Sequence, residues 1–197
     1  MASTGLREKK AARTRLQIVE AALDLFIGRG FDETTMEDIA ERAEIGSSTL
    51  YRYFPSKDLV ILEPLLSFTD MGDYLRERPA EEPLSLALGS IITTTLAEFT
   101  TDDRVGEVRR IVDASPSPRA KLWDVMASSR DDLEHALADR LGRAPDDLTV
   151  VLTARMAMVV YELAAEAWWA GDHSRPIRDV VAETLAAVQA ARVVIPG

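Results

Sequence analysis

Residues 47–57 read Ser-Ser-Thr-Leu-Tyr-Arg-Tyr-Phe-Pro-Ser-Lys. On a helix over 47–53, Leu50 turns inward, and Ser47, Ser48, Thr49, Tyr51, Arg52 and Tyr53 face out. A merely solvated face carries Glu and Lys pairs; this one offers aliphatic and aromatic hydroxyls and one guanidinium. Base edges and phosphates are natural partners for such groups. Lys57 opens the next helix, where its ammonium and the free first-turn N–H groups could hold one phosphate together. A tight structural subdomain with a polar face would show the same pattern, so at this point both readings stand.

Other chemistry finds no foothold. The chain has no GxGxxG, P-loop or GxSxG motif. It has no Cys, which removes disulfides, thiolate metal sites and a Cys nucleophile, and suits a reducing cytoplasm. His135 and His173 are its only histidines; they lack metal-ligand spacing and read as surface helix residues. No pair of carboxylates stands out. The expectation is a chain that is not an enzyme and uses neither cofactor nor metal.

The elements that hold residues 47–57 can be read outward from them. Leu16, Val19, Ala22, Leu23 and Phe26 recur at helical spacing and predict a helix over 11–28, stopped by Gly28 or Gly30, with Phe31 packing back on it. Thr35 precedes Glu37 and Asp38, close to a capping box, and predicts a helix to about Arg42. Ile45-Gly46-Ser47 is a turn, with Ser47 a substitute cap for the helix that follows. Ile39, Ala40, Ile45 and Leu50 share one small core, and Ala40 is small because two helices cross there. This is helix-turn-helix spacing, in which the second helix enters the major groove. Pro55 ends that helix, and Ser56 caps one from Lys57 to about Thr69. Further helices are predicted over 83–100, 103–113, 118–142, 146–170 and 176–193, nine in all. The fold class is all-α, with a helix-turn-helix domain over 1–56 and a second helical domain over 57–197.

The net charge is −10. Residues 1–57 are balanced, with nine basic and nine acidic side chains, so the whole excess of acid lies in residues 58–197. Within the first fifteen residues Arg7, Lys9, Lys10, Arg13 and Arg15 face Glu8 alone. That basic tip reads either as a solvated terminus or as an arm that approaches phosphates. No signal peptide and no run of 18 apolar residues is read, so nothing is expected to span a membrane.

The stretch Ile18 to Leu59 resembles the TetR family of bacterial repressors. The resemblance rests on Ala21-Ala22-Leu23-x-Leu25-Phe26, Gly30-Phe31, Thr34-Thr35-Met36-x-x-Ile39-Ala40 and, above all, Ser48-Thr49-Leu50-Tyr51-Arg52-Tyr53-Phe54-Pro55-Ser56-Lys57-x-Leu59. It implies that Thr35, Thr49, Tyr51, Tyr53 and Lys57 contact phosphates and that Ser47, Ser48 and Arg52 read bases. It also implies a ligand-binding and dimerisation domain after residue 57. Glu44 departs from the pattern: it stands at the turn position usually held by Gly, where the backbone takes a positive φ.

The C-terminal helices add readings of their own. Leu148, Leu152, Met156, Val159 and Leu163 form one stripe of helix 146–170, and Val151, Met158, Tyr161, Ala165, Trp168 and Trp169 cover others. A helix apolar nearly all round is buried on more than one side. With the Ala-rich helix 176–193 it is the expected dimer interface, a four-helix bundle across a two-fold axis. Phe68, Leu88, Ile92, Phe99, Trp123, Met126, Met158 and Glu162 are the candidate lining of an effector cavity. Arg109-Arg110-Ile111-Val112-x-x-Ser115-Pro116 with Leu122-Trp123 is similar to the C-terminal domain of mycofactocin-system regulators. That implies a fatty or acyl-CoA-like ligand whose phosphates meet Arg109 or Arg110. The expected function is therefore a cytoplasmic homodimeric repressor that binds a palindromic double-stranded operator and is released by a small hydrophobic ligand. The alternative is a helix-turn-helix regulator governed by a protein partner or by no effector.

Overall fold

The structure is a computed structural model that describes residues 2–99, 104–171 and 175–192; the side chains of Phe68 and Phe99 lie outside the described residues, as does His173. The described residues form α1 (Ala2–Arg29), α2 (Met36–Arg42), α3 (Ser47–Tyr53), α4 (Lys57–Leu62), a 3-10 stretch (Glu63–Asp70), α5 (Met71–Glu77), α6 (Leu84–Phe99), α7 (Val105–Ala114), α8 (Pro116–Leu141), α9 (Leu148–Ala170) and α10 (Ile177–Ala190). Each helix predicted from the sequence has its counterpart.

Two details differ from the sequence expectation. The helix expected over 57–69 stops at Leu62, because Pro64 lacks an N–H and its ring crowds the carbonyl a turn earlier, and the chain tightens to 3-10 geometry. The helix α5 then forms in a stretch for which no helix is predicted. The first helix also begins at Ala2 rather than near residue 11, so the basic tip is helical.

The chain divides into two compact units, residues 1–66 with 104–123, and residues 67–103 with 124–197. Packing thus draws the line differently from the 56/57 boundary read from the motif. The reason is that Val60, Ile61 and Leu62 of α4 are fully buried, with α4 packed on α1 and α7. In the first unit Ile18, Ala22, Leu23 and Phe26 of α1 meet Ile39, Leu50 and Phe54, all buried. Phe31 packs back on α1, its ring 5.1 Å from that of Phe26. In the second unit α6, α9 and α10 pack together, with α5 against α6. Arg140 of α8 donates to the carbonyls of Pro79 (2.7 Å) and Glu82 (2.8 Å) and so holds the turn before α6.

By length and composition α9 is able to cross a bilayer, a feature the sequence reading did not register. Eight of its residues, among them Val150, Met158 and Tyr161, are instead buried against protein. It is the core helix of the second unit.

Candidate nucleic-acid interface

The reading helix is positioned by its predecessor. Thr35 caps α2 with a full capping box: Asp38 N–H donates to the Thr35 hydroxyl oxygen (3.1 Å) and Thr35 N–H donates to the Asp38 carboxylate (2.8 Å). Hydrogen bonds from Thr35 and the nearby Arg29 hold the Asp38 carboxyl below the usual carboxylate range. At its other end α2 closes in a Schellman turn. Glu44 N–H donates to the Glu41 carbonyl and Ile45 N–H to the Ala40 carbonyl, both at 3.0 Å. The residue that such a turn places in left-handed geometry is Glu44, with φ 53°. The positive φ expected at this position is present.

Beyond the turn, Gly46 is the N-cap of α3 and makes no side-chain cap bond. Ser47 is therefore the first helical residue rather than a substitute cap, and its hydroxyl is free to face outward. Ile39, Ala40 and Leu50 are buried as expected; Ile45 is only partly so. Thr35, Ser47, Ser48, Tyr51 and Arg52 are exposed, and Thr49 and Tyr53 are half-buried. Arg52 lies over the Tyr53 ring, 5.6 Å from its centroid. All seven belong to the first compact unit and to the α2–turn–α3 segment.

Lys57 departs from its expected place. Its ammonium donates to the carbonyls of Phe31 (2.8 Å), Thr34 (3.1 Å) and Asp32 (3.3 Å), and sits 4.4 Å from the Phe31 ring centroid. An ammonium has three N–H donors, and here each has a carbonyl. Lys57 thus ties α4 to the loop that ends in Thr35, from behind the exposed face. Gln17 was not singled out from sequence: its amide donates to the Ala43 carbonyl (2.7 Å) and fixes α1 to the turn. A lone Gln in a helix carries no signal for a partner 26 residues away.

With this geometry in hand, comparison with known proteins is decisive. Residues 18–63 match the family model for bacterial regulatory proteins of the tetR family, and residues 83–192 match the MftR C-terminal domain. The chain belongs to the TetR family, with an MftR-type C-terminal domain. It is 41% identical over 88 residues to the HTH-type transcriptional regulator TcmR of Streptomyces glaucescens, across 44% of this chain and 39% of TcmR. It is 25% identical over 171 residues to MftR of Mycobacterium tuberculosis, named as a regulator of mycofactocin biosynthesis, across 84% of each chain. Among solved structures, FadR of Bacillus subtilis in complex with stearoyl-CoA superposes with a TM-score of 0.57 at 18% identity, covering 89% of this chain and 97% of that one, a likeness of fold. TetR-family proteins are DNA-binding transcription regulators and not enzymes.

In this TetR-family chain five of the effector candidates lie in one unit. Ile92 and Met158 are buried, and Leu88, Met126 and Glu162 half-buried, all in the second unit. Trp123 belongs to the first unit and is 63% exposed. Its ring is open to solvent rather than enclosed as a buried cavity lining would be. Phe68 and Phe99 fall outside the described residues. A cleft of about 350 Å³ is lined by Tyr74, Glu77, Arg78, Pro79, Ile91 and Thr94, none of them predicted. The Tyr74 hydroxyl there donates to Glu98 (2.8 Å), which pushes the phenol up to about 12. Arg109 is paired with Asp113 (2.9 Å) and Arg110 with Glu107 (3.5 Å), both in the first unit. His135 is exposed, and among the described residues no group of side chains is arranged to hold a metal.

Proposed function

We propose that the chain is a repressor that binds a palindromic double-stranded operator as a homodimer and is released by a small hydrophobic ligand. The observation that carries the DNA reading is the exposed face of α3. Ser47, Ser48, Tyr51 and Arg52 are solvent-facing on a helix rigidly held by a capping box, a Schellman turn and the buried Leu50. Ser47, Ser48 and Arg52 read base edges, the first two through hydroxyls and the last through a fork suited to guanine. Thr35, Thr49, Tyr51 and Tyr53 hold phosphates and set the register. Lys57 supports them by fixing the loop before Thr35.

The dimer rests on α9. Leu148, Leu152, Met156, Val159 and Leu163 form one stripe at helical spacing and are 40–70% exposed. Such a stripe is what two copies cover by packing α9 and α10 as a four-helix bundle. A dimer places two reading heads on half-sites about 34–36 Å apart. The ligand reading draws on FadR with stearoyl-CoA and on SmeT with triclosan, two proteins of the same fold that hold small hydrophobic molecules. An effector acts if it binds the form unable to span the half-sites more tightly, by about 1–3 kcal/mol.

The test is selection of bound fragments from random DNA, followed by a screen for molecules that release the selected duplex. A palindromic consensus is expected. Arg52→Ala is expected to relax preference at one position of each half-site, whereas Tyr53→Phe weakens binding to all duplexes alike. Failure to enrich any sequence at low salt would sink the reading.

A further inference from the structure

The cationic face of α1 is a site that the helix-turn-helix does not use. Arg7, Lys9, Lys10 and Arg13 are exposed and, among the described residues, form no ion pair or hydrogen bond. Many arginines elsewhere are paired: Arg42 with Asp24, Arg76 with Asp132, Arg78 with Glu82, Arg143 with Asp147. A chain with ten excess acids thus leaves four cations on one helix end uncompensated.

The direction of that face is fixed by Gln17. At about 100° per residue, Lys10 lies two turns before Gln17 and Arg13 one turn before it, on the same side of α1, with Lys9 and Arg7 flanking them. Gln17 itself bonds to Ala43, at the turn that leads into α3. The cationic stripe therefore continues the side of α1 that abuts the α2–α3 turn. Glu8 falls on the opposite side, in line with Arg15, which turns the other way to pair with Glu63. The first fully buried residue of α1 is Ile18, so Arg7 stands roughly 16 Å beyond the core along the axis.

We infer that Arg7, Lys9, Lys10 and Arg13 form a helical prong that grips duplex phosphates flanking the base pairs read by α3. This contact rests on the DNA reading above. It is independent of sequence, lengthens the footprint, and lets a strongly acidic chain approach a polyanion.

The test compares the wild-type chain with Arg7→Gln/Lys9→Gln/Lys10→Gln/Arg13→Gln, in which all four sites keep helix-forming residues. Both are titrated with the duplex recovered by random selection, carried with extended flanks, over a range of salt concentrations. The plot of log affinity against log salt is expected to flatten by about four to seven for the dimer, since each phosphate contact contributes about 0.9 and each protomer loses its cations. Hydroxyl-radical protection should shrink at the outer edges and the base preference should stay the same. Glu8→Gln, on the opposite face, should leave the slope unaltered. If the fourfold variant melts early, Lys10→Gln/Arg13→Gln decides, with a flattening of about two to four for the dimer. A slope and footprint equal to wild type overturn the prong while leaving α3 as the reader. Absence of any duplex binding by wild type overturns the α3 reading itself.

Discussion

Glu44 occupies the left-handed position of the α2–α3 turn with φ 53°, whereas the matching Schellman turn at the end of α8 uses Gly142, with φ 62°. A side chain in that region is strained by roughly 1–2 kcal/mol. Glycine would lose part of this gain through the greater freedom of the unfolded chain. Glu44→Gly is therefore expected to stabilise the protein by about 0.5–1 kcal/mol, raising the melting midpoint by a few degrees in calorimetry. It should also tighten binding to nonspecific duplex, because a carboxylate leaves the turn beside the reading helix. Lys57 invites a sharper distinction. A phosphate-gripping lysine, once removed, flattens the salt dependence of DNA binding by about one for each protomer. A lysine whose three donors are held by the Phe31, Asp32 and Thr34 carbonyls does something else when replaced by Met. It leaves three carbonyls without their donor, at a cost of about 1–3 kcal/mol, and the slope stays unchanged. Thermal melts and salt titrations of Lys57→Met separate the two roles.

At the scale of elements, α5 meets α8 at a point where a side chain does not fit. A Cβ on Gly72 would lie 2.0 Å from an Asp132 carboxylate oxygen. That carboxylate accepts from Arg76 at 2.6 Å, and Arg76 is shared with Asp73 at 2.8 Å. Replacing a helical Gly by Ala ordinarily stabilises by about 0.5–1 kcal/mol. Here the gain should vanish, because Asp132 must leave Arg76 to make room. In an Asp132→Ala background Gly72→Ala should recover it, and a double-mutant cycle by denaturant unfolding reads the difference. None of this is visible in the sequence, because Gly72 and Asp132 stand on different helices with no local period to link them. Pro64 was visible and should have stopped the helix begun at Lys57; the apolar residues around it, Leu62, Leu65 and Leu66, kept the helical period going past it. The capping box at Thr35, the turn at Glu44 and the inward Leu50 were legible because each depends on neighbours within a few residues. The latch of Lys57 and the bond of Gln17 join residues 23–26 apart, and no local period encodes such pairs. The effector lining was the least legible: spacing places residues on a helix face but does not say which faces enclose a space.

At the scale of the whole molecule, α9 has one composition and two tasks. Val150, Ala154, Ala157, Met158, Tyr161 and Ala165 are buried within the chain, while Leu148, Leu152, Met156, Val159 and Leu163 run along another side and stay exposed. A helix apolar on both sides passes a length-and-composition test for crossing a bilayer, but half of its surface is already covered by α6 and α10. In the proposed dimer, a second α9 across a two-fold axis covers that stripe with a self-complementary surface. Leu152→Glu combined with Met156→Glu places two carboxylates at the middle of that stripe without touching a buried residue. The expected outcome is a folded monomer, with helical content by circular dichroism and the melting profile of a single chain. Sedimentation velocity should report about half the wild-type mass. Binding to the full palindrome should fall toward the affinity for one half-site, since the second head no longer arrives with the first. The base preference within each half-site should be unchanged, because α3 is not altered. A variant that sediments as a dimer would remove the stripe from the interface and leave other exposed apolar positions, among them Leu16, Ile27, Leu86 and Trp123, to form it.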